Sequence, residues 1–154
     1  MNILNSHKYK CYLLKEKQCR KNISRFEKIL SDNQFKLVDH QRQIDTYTTT
    51  IREINFDIEC IEDPVSRPLG SGQENRRIEI LIRQLESKVK KIESKIHWHQ
   101  GQLIRVKILI ETYERKIQQE KNHLITLASV VNKFTRDAIE KNDSFEKFQK
   151  INTN

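Results

Sequence analysis

Apolar residues recur at alternating steps of three and four along nearly the whole chain. Starting at Tyr9, these steps reach Tyr12, Glu16, Cys19, Ile23, Phe26, Leu30, Asn33, Leu37, His40, Ile44, Tyr47, Ile51, Ile54, Ile58 and Ile61. Thirteen of the sixteen are apolar or aromatic, and none is Lys or Arg. A sustained 3.5-residue period keeps one stripe of a helix turned toward a partner helix, which is the seam of a coiled coil. The same steps from Ile78 reach Ile82, Leu85, Val89, Ile92, Ile96, His99, Leu103, Val106, Ile110, Tyr113, Ile117, Glu120, Leu124, Leu127, Val131, Phe134, Ala138, Lys141, Phe145 and Phe148. Eighteen of these twenty-one are apolar.

Between the two seams lies EDPVSRPLGSGQE, which holds both prolines, Pro64 and Pro68, and two of the three glycines, Gly70 and Gly72. Proline lacks the helix N–H donor and glycine frees the backbone, so both helices stop here. The sequence therefore predicts a single coiled-coil domain over 1–154, with helix one over about 4–62, a turn over 63–73 and helix two over about 74–149. The fold class is all-α, a long two-helix antiparallel coiled-coil hairpin. Charged residues make up 32% and aromatics 7%, a profile that suits long helices better than a compact globule.

Charge fixes the orientation. Residues 43–75 carry two Lys/Arg against seven Asp/Glu, whereas residues 76–121 carry twelve against six. Only an antiparallel pair sets the acidic end of helix one beside the basic start of helix two. If residues 62 and 74 face each other across the turn, Ile58 faces Ile78, Ile54 faces Ile82, Ile51 faces Leu85, Phe26 faces Ile110 and Tyr9 faces Leu127. Slides of seven residues would keep seam on seam but make the turn implausibly short or long, so this register is expected, and it sets Glu16 opposite Glu120 in a like-charge layer.

The chain offers little chemistry of its own. Neither G-x-x-x-x-G-K-[ST] nor G-x-G-x-x-G is present, so no phosphate-cradling loop is expected. His97 and His99 are two apart on a helix and point to different sides, unlike the i, i+4 pair of a zinc helix. The cysteines Cys11, Cys19 and Cys60 are odd in number and lack CxxC spacing. The reading is a non-enzyme with no cofactor and no metal. The first residues lack the apolar core of a signal peptide and no run is apolar enough to span a bilayer, which predicts a cytoplasmic protein.

Function must then reside in surfaces. Lys8, Lys10, Lys15, Lys17, Arg20 and Lys21 all lie off the seam and are exposed by construction. Glu16, Glu27 and Asp32 interrupt this run and no nucleic-acid recognition module accompanies it, so an acidic protein surface is the expected partner rather than nucleic acid. With Tyr9 opposite Leu127, helix two outruns helix one. Val131, Phe134, Ala138, Phe145, Phe148 and Ile151 are then an apolar stripe with nothing in the hairpin to cover it, a second partner site.

The segments NQFKLVDHQRQIDTY (33–47) and NRRIEILIRQLESKVKKIESKI (75–96), with the overall two-helix plan, resemble the central stalk proteins of type III export systems, the FliJ-like, YscO-like and InvI-like coiled-coil family. The resemblance implies a monomeric shaft before assembly, seated in the pore of a hexameric export ATPase at the cytoplasmic face of a secretion apparatus, with export chaperones as further partners. It also implies that the flank past the turn, with Leu81 and Leu85, faces the export gate, although Lys88 and Ile92 depart from a gate-facing pattern. Two other classes fit the residues: an oligomeric coiled-coil scaffold or tether, and a basic nucleic-acid-binding hairpin.

Overall fold

A computed structural model describes residues 6–63 and 72–153. Two helices account for them: α1 (His7–Glu62) and α2 (Gly72–Asn152). They pack against each other as an all-α antiparallel hairpin, and the described residues contain no strand. Pro64, Pro68 and Gly70, the core of the expected turn, lie outside the described residues, as do the first residues of the expected helix one. Helix two begins at Gly72 rather than 74 and runs to Asn152, so Asn142 and Asp143 do not break it.

The ends follow local chemistry. Ser6 caps α1, its Oγ accepting the Tyr9 N–H at 3.1 Å and so satisfying one of the donors that a helix N-terminus leaves unpaired. In α2, Glu74 in the first turn and Lys150 in the last suit the helix macrodipole. The run Thr48–Thr50, β-branched and Ser/Thr-like, is a poor helix former. Its hydroxyls each donate to the carbonyl four residues back, at 2.8 to 3.0 Å, which satisfies them without leaving the helix.

Burial reproduces the seams residue by residue. All sixteen α1 positions from Tyr9 to Ile61 are buried or half-buried, and so are all α2 positions from Ile78 to Ala138. The core is thin because two helices share only one line of contact. Cys19, Val106, Ile117, Leu127 and Ala138 are its buried apolar members, with Asn33 the buried polar one.

Contacts fall into two units, Met1–Ser31 with Glu111–Asn154, and Asp32–Ile110. In the first, Tyr9 lies against Phe134 and Phe26 against Tyr113, with ring centroids 5.9 and 5.7 Å apart. In the second, His40 meets His99, and Lys95 lies over the Tyr47 ring at 5.6 Å. Residue numbers rise along one helix as they fall along the other in each unit. The second unit thus sets the acidic end of α1 beside the basic start of α2, as the charge pattern requires.

The register differs from the expected one. Tyr9 lies against Phe134, one heptad beyond Leu127, and Phe26 lies against Tyr113, the seam position between the expected Ile110 and the Ile117 that a one-heptad slide sets opposite it. A 3.5-residue seam is unchanged by a seven-residue slide, so the apolar pattern alone cannot choose among slides. The observed slide removes the Glu16–Glu120 layer: Glu120 accepts from Asn22 Nδ2 at 3.5 Å, and Glu16 accepts from Arg20 at 2.9 Å.

Candidate functional site

The first unit carries the candidate basic surface. Seam positions on α1 turn toward α2, so Lys8, Lys10, Lys15, Lys17, Arg20 and Lys21 project outward, and all six are exposed. They are not equivalent. Arg20 is committed to Glu16 one turn back on its own helix, and Lys15 lies over the Tyr12 ring at 5.6 Å. Lys8 borders a groove of about 310 Å³ with Tyr12, Val130, Lys133, Phe134 and Asp137. Exposed cations of this kind contribute little to folding but strongly to encounter with an acidic partner.

The expected uncovered stripe is shorter than its sequence suggests. Phe134 is half-buried, held by Tyr9 at 5.9 Å and Tyr12 at 5.7 Å between ring centroids, and Ala138 is only 4% exposed. The one-heptad slide brings the start of α1 against this part of α2, so Phe134 is a seam residue that also lines the groove beside Lys8. Beyond Ala138 the stripe is open. Phe145 is 60% exposed, Phe148 63% and Ile151 75%, and Lys141 is exposed with them.

In the second unit, Leu81 is exposed, whereas Leu85 is a half-buried seam residue. Of the two residues expected to face a gate, Leu81 therefore offers its side chain to the outside and Leu85 is largely used within the hairpin. Lys88 is exposed and Ile92 half-buried.

Polar layers interrupt the seam in both units. In the first unit the buried Cys19 thiol is pushed up from its ordinary value of 9.0, first by burial and then by its hydrogen bond and proximity to Glu120. In the second unit His40 Nδ1 and His99 Nδ1 lie 2.8 Å apart. Trp98 and Tyr47 flank them, with ring centroids 4.9 and 5.8 Å from His99. The sequence marked both histidines as seam interruptions, but not as partners, because the expected register set His40 opposite Ile96. Among the described residues no three His, Cys, Asp or Glu side chains gather as a metal-holding group, and no helix is long and apolar enough to cross a membrane. Comparison with family models, with curated proteins and with solved structures finds no match to the chain.

Proposed function

We propose that this chain is the central stalk of a type III protein export apparatus, inserted into the hexameric export ATPase and linking it to the export gate. The observation that carries the reading is that the α1 seam, and the α2 seam as far as Ala138, are covered within one chain while the basic face of α1 stays exposed. Such a hairpin needs no second copy to fold, and its recognition chemistry lies on its outside. In this reading Lys8, Lys10, Lys15, Lys17 and Lys21 meet acidic groups lining the ATPase ring through weak, solvent-screened contacts. Leu81 supplies the apolar contact toward the gate. The site of action is the cytoplasmic face of the apparatus.

Reversing Lys10, Lys17 and Lys21 to Glu should leave helicity intact, since exposed charges add little to folding, and should abolish stimulation of the hexameric export ATPase. Unchanged stimulation overturns the assignment, and loss of helicity makes these residues structural. The exposed Phe145, Phe148 and Ile151 favour a second reading, an oligomeric coiled-coil scaffold or tether that joins copies through this stripe. Sedimentation distinguishes the two: a stalk runs as a monomer, a tether as an obligate oligomer.

A further inference from the structure

The second unit holds a pair of titratable rings directly in its seam, where every neighbouring layer is apolar or aromatic. His40 comes from α1 and His99 from α2, both are half-buried, and their Nδ1 atoms are 2.8 Å apart. A hydrogen bond between two imidazoles requires one nitrogen to donate and the other to accept. The acceptor must be a neutral ring with a free lone pair. When both rings carry a second proton, both nitrogens are donors, and two positive charges face each other at contact distance.

We propose that the His40–His99 layer is a pH-sensitive clasp of the hairpin, closed when at least one ring is neutral and forced open when both are protonated. It rests on the hairpin geometry alone and is independent of the stalk assignment.

The surroundings reinforce the switch. Within one turn of the pair lie Lys36, Asp39 and Arg42 on α1, and Lys95 and His97 on α2. Charges of both signs thus surround the layer. Burial, and then the neighbouring His40, hold His99 below its ordinary 6.5, with Asp39 opposing. Trp98 packs edge-on against both rings, and Tyr47 lies tilted against His99.

The direction of the linkage follows. A histidine whose folded pKa is depressed binds fewer protons folded than unfolded, so stability is present above the unfolded value near 6.5 and is lost as pH falls through the folded one. Carboxylates titrate near 4, below this window.

The test is thermal unfolding of the full chain, followed by circular dichroism at pH 7.5 and pH 5.5. A tenfold suppression of the folded population lowers Tm by roughly 3–6 °C in a chain of this size, and a fall of that order is expected for the wild type. The double variant His40→Leu/His99→Leu should lose the fall, while His97→Gln should keep it. A double variant with an undiminished fall overturns the proposal. Should the leucines disturb packing, ring NMR of the unaltered protein decides: a His99 titration displaced below its ordinary 6.5 supports the clasp, and a His99 titration at that ordinary value overturns it. Trp98, the single tryptophan, gives a fluorescence reading of the same layer.

Discussion

Phe134 and Phe148 are the same residue type at equivalent seam positions of one helix, and the structure assigns them opposite energetic weight. Phe134 sits half-buried between Tyr9 and Tyr12, whereas Phe148 is 63% exposed. Truncating a fully buried Phe costs about 3–5 kcal/mol. Half burial reduces the transfer part to about 1.5–2.5 kcal/mol, and loss of two aromatic contacts adds about 0.5–1.5 kcal/mol in total. Phe134→Ala should thus cost about 2–4 kcal/mol, a fall in Tm of roughly 4–16 °C. Phe148→Ala should stay within about 0.5 kcal/mol of the parent. Circular dichroism at 222 nm against temperature measures both. Truncation extends the comparison: ending the chain after Lys141 should leave Tm unchanged, and ending it after Val131 should lower it at least as far as Phe134→Ala. Equal Tm values for the two alanine variants would refute the register, because Phe134 would then be as unpaired as Phe148.

Two further outcomes follow from local features. Gly101 lies in the interior of α2, and a Cβ added there meets nothing within 4 Å; Gly101→Ala should stabilise the chain by about 0.5–1 kcal/mol in denaturant unfolding, and destabilisation would mean that this stretch is contacted by something outside the hairpin. The thiols should alkylate in the order Cys60, Cys11, Cys19, following exposed, half-buried and buried positions, with the raised pKa of Cys19 further reducing its thiolate near neutrality. Mass spectrometry during iodoacetamide labelling reads the order, and Cys19 reacting first would contradict the packing of its layer.

The spacing of apolar residues determined that the chain forms two helices and which stripe of each is covered, and the prolines and glycines placed the break at about 63–73, within two residues of the observed start of α2 at Gly72. Those facts depend only on the helical repeat and on where proline and glycine sit, so they are local. The charge pattern added the antiparallel direction, and the exposure of Lys8 to Lys21 followed from their positions off the seam. The slide of one helix along the other was not local. Seven residues of displacement leave every seam position on the seam, so the apolar pattern is indifferent to it, and the choice fell to particular side chains meeting across the interface: Phe134 entering between Tyr9 and Tyr12, Glu120 reaching Asn22 instead of Glu16, and His99 reaching His40. From that slide came the results the sequence could not supply: that Phe134 and Ala138 are interior, that the open stripe begins only at Lys141, and that two histidines 59 residues apart share a hydrogen bond. Periodicity specifies a stripe, while the register is a property of pairs, and pairs exist only once both helices are in place.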